Sequence, residues 1–202
     1  MKPKTLFYLL FFTVLVLVFF FVLTKVIPGF ASSRFPPLGY VAPFSFIDQD
    51  GKTITQKDVA GKTYVAHYFF TTCKGICPRM NNNMRQVYDK FQNEPAFLIL
   101  SHTCDPAIDS PAKLKRYADS MGVSTDRWIF LTGRKDSLYN MARMSYKIDD
   151  PANNLKNIES DFLHTQFFAL VNKEGEVKKV YDGLKETELA QMTKDIEKLL
   201  KE

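Results

Sequence analysis

Residues 64–78 have the sequence YVAHYFFTTCKGICP, and the architecture of the chain can be predicted outward from them. The first seven residues are almost continuously apolar and aromatic, which is typical of a central strand buried on both faces. Cys73 and Cys77 follow in a polar turn, and Pro78 favours a helix that begins beside Cys77. The segment therefore predicts a strand, a turn that carries two thiols, and a helix.

Short apolar runs and helical periodicities on either side extend this unit. Further strands are predicted at residues 44–47, 53–55, 96–100, 128–131, 167–171 and 177–181, and helices at 77–91, 110–121, 136–146 and 187–200. The first two strands flank Asp50-Gly51 and are typical of an N-terminal β-hairpin. Strands that alternate with helices predict an α/β fold with a mostly parallel sheet covered on both faces.

The N-terminal segment is suited to crossing a membrane. Residues 5–24 carry no charge and are mostly Leu, Phe and Val. As a helix they would extend about 30 Å, the thickness of a hydrocarbon core. A cleaved signal peptide is the alternative, but its apolar region is usually about 7–15 residues long. Because Lys2 and Lys4 precede the segment, the positive-inside rule places the rest of the chain outside the cytoplasm.

These patterns predict three regions of the chain. They are a membrane anchor at residues 1–27, a Pro-containing linker at 28–41 and an α/β domain at 42–202. The N-terminus does not resemble an Arg-rich, Ser-rich amphipathic presequence. We therefore expect a single-pass protein of the bacterial inner membrane with its domain on the periplasmic side.

Composition excludes several classes of protein. The 202 residues include 27 Lys and Arg and 22 Asp and Glu, for a net charge of +5. Three of the lysines lie in the first 27 residues, which contain no acid, so the rest carries 24 basic and 22 acidic side chains. Nucleic-acid binding is therefore not expected. A hydrophobic content of 46% excludes intrinsic disorder, and three cysteines are too few for a disulfide-stabilised miniprotein.

The two cysteines of residues 71–78 are candidates for chemistry. Cys73 is expected at the carboxyl edge of the sheet, where open α/β sheets place their sites. Cys77 is expected at a helix N-terminus, whose unpaired N–H groups would lower its pKa, and Lys74 adds positive charge. Both sulfurs could converge on one atom or oxidise to a disulfide. The alternative is a pair of buried structural thiols, but the polar, Gly-containing turn favours a functional pair.

Three histidines are available as a third participant. His67 lies inside the first central strand and is expected in the core. His102 follows the predicted second central strand and is expected near a carboxyl edge. His164 precedes the strand at 167–171, and in a thioredoxin-type sheet that loop faces the cysteine turn. Its usual cis-proline is missing here because the last proline of the chain is Pro151, so His164 can reach the sulfurs.

Three motifs resemble the Sco/SenC family, copper-handling thioredoxin-like proteins of cytochrome c oxidase assembly. They are Cys73-x-x-x-Cys77-Pro78, Asp105-Pro106-x-x-Asp109 and His164-Thr165. The resemblance runs from about Ala42 to the C-terminal helix and implies a thioredoxin-like fold after a single transmembrane helix. It implies that Cys73, Cys77 and His164 are the copper ligands. It also implies a largely structural role, in loop and helix capping, for the two aspartates.

The chemistry of the donors agrees with copper. Two thiolates and one imidazole form a soft, three-coordinate set, which favours Cu(I) and can also hold Cu(II). Structural zinc needs four protein ligands, and only Cys104 or His102 could supply a fourth.

Two functions from different classes follow from the resemblance. The first is a copper metallochaperone for the copper A subunit of cytochrome c oxidase, with another copper chaperone or a thiol reductase as an expected further partner. The second is a membrane-anchored thiol–disulfide oxidoreductase that reduces partner cysteines. Cys104 replaces the aliphatic residue usual before Asp-Pro, and it is either a buried thiol or an alternative disulfide partner for Cys73 or Cys77. A peroxiredoxin-like peroxidase is a third alternative. It is disfavoured because this sequence has no Thr-x-x-Cys active-site turn with a partnering Arg.

Overall fold

The computed structural model describes residues 3–26, 36–153, 158 and 160–202. The chain divides into two compact units, Met1–Pro36 and Pro37–Glu202. Much of the predicted linker at 28–41 lies outside the described residues.

The first unit contains one long apolar helix, α1 (Pro3–Val26). Its apolar stretch is long enough to cross a membrane, and this composition near an N-terminus fits either a membrane anchor or a signal sequence. Two of its threonines, Thr13 and Thr24, satisfy their hydroxyls within the helix. Thr13 Oγ1 donates to the carbonyl of Leu9 (2.8 Å) and Thr24 Oγ1 to that of Phe21 (2.7 Å). Such bonds remove the cost of an unpaired polar group in hydrocarbon.

The second unit is an α/β domain. Its strands are β1 (Gly39–Tyr40), β2 (Ser45–Asp48), β3 (Thr53–Thr55), β4 (Thr63–Phe69), β5 (Phe97–Thr103), β6 (Trp128–Thr132), β7 (Phe167–Val171) and β8 (Glu176–Asp182). Its helices are α2 (Gln56–Val59), α3 (Cys77–Phe91), α4 (Pro111–Met121), α5 (Lys135–Asn140) and α6 (Glu186–Leu199), with a π turn at Met141–Ser145 and a 3-10 turn at Pro151–Asn153. Every predicted strand and helix is present, and the short elements β1 and α2 are additional.

The strands form one sheet in the order β1-β8-β7-β4-β5-β6-β2-β3. The pairs β4–β5 and β5–β6 are parallel, whereas the other pairs among the described strands are antiparallel. The prediction of a mostly parallel sheet is therefore wrong. Two hairpins cause the difference: β7–β8 pairs antiparallel with β4, and the predicted N-terminal hairpin β2–β3 pairs antiparallel with β6.

The sheet begins before the predicted domain boundary at Ala42. Gly39 lies opposite Val177 and Tyr40 opposite Glu176, so β1 adds an edge strand to β8.

The two central strands hold the core together. All seven residues of β4 and all seven of β5 are buried, as a strand covered on both faces requires. Side chains alternate between two apolar clusters, one on each face of the sheet. Tyr68 and Leu100 belong to the first cluster, and Phe69 and Trp128 to the second. The covered sheet fixes the strand ends, and those ends carry the candidate site.

Candidate metal centre

The two cysteines lie at the junction between β4 and α3. The backbone N–H of Cys73 donates to the carbonyl of Phe70 (3.2 Å), which closes a turn directly after β4. Cys77 is the first residue of α3 and is only 4% exposed, whereas Cys73 is half-buried. Pro78 occupies the first turn of α3, as predicted, and Met80 packs the helix into the core. The two thiols are close enough for each to shift the pKa of the other.

The pKa values of the two thiols diverge. Burial alone would raise the pKa of Cys73, but hydrogen bonds from Cys77 and from the backbone N–H groups of Gly75 and Ile76 lower it below its ordinary value. Burial, together with the hydrogen bond shared with Cys73, raises the pKa of Cys77 to about 12. The prediction that the helix N-terminus stabilises a Cys77 thiolate is therefore wrong. The N–H groups of the turn act on the Cys73 sulfur instead, and the Cys77 sulfur is buried.

Brief labelling of the reduced chain with iodoacetamide at neutral pH is expected to modify Cys73 first. The thiolate is the nucleophile. A cysteine with a lowered pKa has a larger thiolate fraction at neutral pH and therefore reacts faster. Cys77 and Cys104 are buried with raised pKa values and should be labelled fully only after unfolding. Peptide mass mapping against time measures this order. Equal labelling rates at Cys73 and Cys77 would contradict the opposite shifts of their pKa values.

Asp109 fastens the cysteine turn to the neighbouring strand. Its carboxylate is fully buried and accepts hydrogen bonds from the Thr71 N–H (3.0 Å), the Thr71 hydroxyl and the Thr103 hydroxyl (2.7 Å). The ends of β4 and β5 are thus held together. A capping role at α4 is not observed, because Ser110 occupies the N-cap without a side-chain bond. Thr71 and Thr103 are site residues that the sequence did not indicate.

His164 lies on the loop that enters β7. Because β7 is the antiparallel neighbour of β4, this loop reaches the sheet edge where β4 ends. The His164 ring is exposed, and its centroid is 6.3 Å from that of Phe70, the residue directly after β4. Phe70 also packs edge-on against the half-exposed ring of Phe162 at 5.2 Å. The loop thus approaches Phe70, whose carbonyl accepts the hydrogen bond from the Cys73 N–H.

The three proposed ligands do not converge in this conformation. Within the part of the chain that the structure describes, no three His, Cys, Asp or Glu side chains are close enough to hold a metal ion. The structure brings the thiols of Cys73 and Cys77 together and places His164 beside Phe70.

The other two histidines are core residues. His67 is fully buried, as predicted, and its Nε2 lies 2.6 Å from Ser101 Oγ. The prediction that His102 follows its strand is wrong, because β5 continues to Thr103 and buries the imidazole completely. The His102 ring stacks on Tyr68 with centroids 5.0 Å apart. Burial lowers the pKa of both imidazoles to about 3, so both are neutral at physiological pH.

Cys104 packs on the opposite face of the sheet from Cys77. It is 2% exposed and belongs to the first apolar cluster, whereas Cys77 belongs to the second. Its backbone is held on both sides, since its N–H donates to Phe69 and its carbonyl accepts from the Tyr139 hydroxyl (2.8 Å). Burial raises the pKa of the Cys104 thiol. This environment favours the buried-thiol interpretation over an alternative disulfide.

The sheet and the paired thiols define a thioredoxin-like protein. Within that class, the family model SCO1/SenC matches residues 36–201. The chain therefore belongs to the SCO1/SenC family, and the resemblance in its motifs is confirmed.

Individual relatives agree with this assignment. The SCO1 protein homolog of Bacillus subtilis is 34% identical over 165 residues, which are 79% of this chain and 83% of that protein. The structure of BsSco matches with a TM-score of 0.69 and 33% identity, covering 82% of this chain and 96% of that chain. BsSco is described as a member of the Sco family of cytochrome c oxidase assembly proteins, and a disulfide switch was identified in it. Yeast Sco1 with copper bound matches with a TM-score of 0.58 and 26% identity, covering 81% and 94%.

Proposed function

We propose that the domain carries one copper ion, bound by Cys73, Cys77 and His164. The observation that supports this most is the pair of neighbouring thiols in one turn, which the His164 loop approaches at Phe70. Two thiolates and an imidazole match the preference of Cu(I) for soft donors and low coordination number, and can also hold Cu(II). Yeast Sco1, which has this fold, has been solved with copper bound.

Charge balance also fits a monovalent ion. Cu(I) with two thiolates carries a net charge of about −1, and the N–H groups of Gly75 and Ile76, with the exposed Lys74, offset it. A closed zinc site is disfavoured because it needs a fourth ligand. Cys104 is buried in the first apolar cluster, and His102 is buried within β5.

Copper is the cargo of this site rather than a resident cofactor. His164 is exposed and has to close on the sulfurs for the three ligands to share an ion. A site with one exposed ligand on a loop suits transfer to a partner better than a closed four-ligand cage. We infer that the recipient is the copper A subunit of cytochrome c oxidase, since BsSco is a cytochrome c oxidase assembly protein of the same family. Another copper chaperone would load the site with copper, or a thiol reductase would keep its cysteines reduced.

Titration of the full chain with Cu(I) in detergent micelles tests the copper assignment. One ion per chain should bind tightly, and none when Cys73 and Cys77 are both replaced by serine. Cys104→Ser should retain one ion because that thiol lies on the other face of the sheet. Copper binding by the double serine variant at the level of the natural chain would overturn the proposal.

The divergent pKa values also favour a second candidate function, thiol–disulfide exchange. The Cys73 thiolate would attack a partner disulfide and release one partner thiolate. The released partner thiolate would take the proton of Cys77, and the resulting Cys77 thiolate would attack the Cys73 sulfur, which releases the second partner thiolate and leaves a Cys73–Cys77 disulfide. Two electrons pass to the partner, and an external thiol reductase has to restore the cysteines. BsSco is described as having a disulfide switch.

We further propose that α1 anchors the domain to the inner membrane with the domain on the periplasmic side. The full chain should remain with membranes during alkaline carbonate extraction, because α1 is uncharged from Thr5 to Thr24 and exposes its apolar side chains. Immunoblotting of the pellet and supernatant measures this. Release of the domain into the soluble fraction, with a mature N-terminus near Ser32, would show a cleaved signal sequence instead.

A further inference from the structure

A buried ionic cluster lies beneath the His164 loop. The Arg143 guanidinium donates from Nε to Asp149 Oδ2 and from Nη1 to Asp161 Oδ2, each at 2.7 Å. The side chains of Arg143 and Asp161 are 5% and 7% exposed, and that of Asp149 is 15% exposed. The guanidinium also lies over the Tyr139 ring, 5.6 Å from its centroid. A buried ion pair adds little net stability over apolar side chains, and its best-attested role is to specify one local geometry.

The backbone that carries Arg143 is irregular. Met141, Ala142 and Arg143 are buried in succession within the π turn that follows α5. A regular helix would turn one of three successive side chains outward, so the π turn allows Arg143 to point into the protein. Lys147, a few residues later, has a left-handed φ of 59°. The segment from Met141 to Ile148 therefore has a defined, irregular backbone conformation. We call it the support, because the His164 loop is hydrogen-bonded to it.

The loop that rests on this support alternates between buried and exposed residues. Asp161, Leu163 and Thr165 are buried. Phe162 and His164 are exposed, and both rings lie against Phe70.

The inward side chains attach the loop to the support at both ends. Asp161 accepts from Arg143, and the Thr165 hydroxyl donates to the carbonyl of Ile148 (2.7 Å). In extended backbone, a shift of one residue would turn every inward side chain outward. The ion pair with Asp161 thus fixes which loop residues face the cysteine turn.

We propose that Arg143 is a positioning residue for His164, acting through its ion pair with Asp161. The inference rests on the proposed role of His164 as a copper ligand. Arg143 touches neither the sulfurs nor the imidazole. Its effect is to hold Asp161 inward, so that the imidazole three residues later faces Phe70 and the cysteines. Loss of the pair should leave the thiols in place and weaken only the contribution of the imidazole.

The chain offers a matched pair of variants for the test. Asp161→Ala removes the carboxylate on the His164 loop, whereas Asp149→Ala removes the other carboxylate of the same guanidinium and leaves the Asp161 pair intact. Each variant leaves Arg143 with one carboxylate partner. A purely electrostatic or structural role of the cluster predicts similar effects from both. Positioning of His164 predicts a larger effect from Asp161→Ala.

Two measurements on the full chain in detergent micelles separate these possibilities. The first is Cu(I) affinity in competition with a chromophoric chelator, for which we expect Asp161→Ala to bind about 10–100-fold more weakly and Asp149→Ala less than about threefold. The second is the imidazole resonances of ¹⁵N-histidine-labelled, copper-free chain. The His164 signals should shift and narrow towards those of a mobile side chain in Asp161→Ala, with those of the buried His67 and His102 unchanged.

The spectra of the copper-free chain test the positioning role of Arg143 separately from copper binding. If the natural chain binds no copper through its cysteines, the proposed function fails, but the spectra still report whether Asp161 holds the imidazole. If copper binding is as proposed and the two variants behave alike in both measurements, the positioning role of Arg143 is wrong. Should Asp161→Ala fail to fold by circular dichroism, Asp161→Asn and Asp149→Asn serve the same comparison while keeping side-chain volume.

Discussion

Replacement of any one proposed ligand, as Cys73→Ser, Cys77→Ser or His164→Ala, is expected to abolish tight copper binding by the full chain. Loss of a cysteine removes one of only two soft donors, and loss of the imidazole leaves a two-coordinate ion open to exchange. Chelator competition measures the affinity for Cu(I). Visible absorption of the Cu(II)-loaded chain provides a second measurement, because absorption from sulfur-to-copper charge transfer needs the thiolates.

His67→Ala is the control for this series. It removes an imidazole from the core, where the ring lies between Trp128 and Phe168, far from solvent. We expect a lower melting temperature because a cavity is created, with the stoichiometry unchanged at one copper per chain. If His164→Ala binds copper as the natural chain does, the assignment of His164 is wrong. His102 is then no replacement, because its ring is enclosed by Tyr68 and Phe46.

The part of the site that lies within one stretch of sequence could be predicted from that stretch. The apolar run before Cys73 determines β4 and Pro78 favours the start of α3, so both thiols fall at a sheet edge whatever packs around them. The approach of His164 followed from the position of its loop before β7. These features depend on local periodicity and on the topology of an α/β sheet.

The features that were mispredicted depend on partners distant in sequence. Ser101 and His102 are polar and resemble the start of a loop. They remain in β5 because Ser101 Oγ accepts from Trp128 Nε1 (2.7 Å) and His102 Nε2 lies 3.2 Å from the Tyr146 hydroxyl. The direction of the pKa shift at Cys77 was missed for a similar reason. Burial of its sulfur in the second cluster outweighs the helix N-terminus, and burial cannot be inferred from spacing.

The cluster around Arg143 shows the same limit. Arg143, Asp149 and Asp161 are separated by up to 18 positions and resemble ordinary surface charges in the sequence. The guanidinium lies inside on a π turn, which has no simple sequence signal. The residues that hold the His164 loop are therefore visible only in the folded domain.

Cells that carry His164→Ala are expected to assemble cytochrome c oxidase poorly, with its copper A site depleted, while the purified variant retains thiol–disulfide exchange. Copper delivery needs the imidazole as a third ligand. Exchange between disulfides needs the thiolate of Cys73 and the neighbouring thiol of Cys77, and neither step needs an imidazole. Oxidase activity, copper content of the purified oxidase and reduction of a model disulfide by the variant are the three measurements.

Cys73→Ser is the comparison strain for this experiment, because the substitution removes copper binding and thiol exchange together. Both hypotheses expect oxidase to fail in that strain, so the cysteine variant alone cannot distinguish them. His164→Ala separates the two activities, since it is a surface substitution that leaves the buried links of its loop, Asp161 to Arg143 and Thr165 to Ile148, in place. Partial rescue by added copper would support weakened delivery. Normal oxidase in His164→Ala cells, with failure in Cys73→Ser cells, would instead assign the domain to thiol reduction.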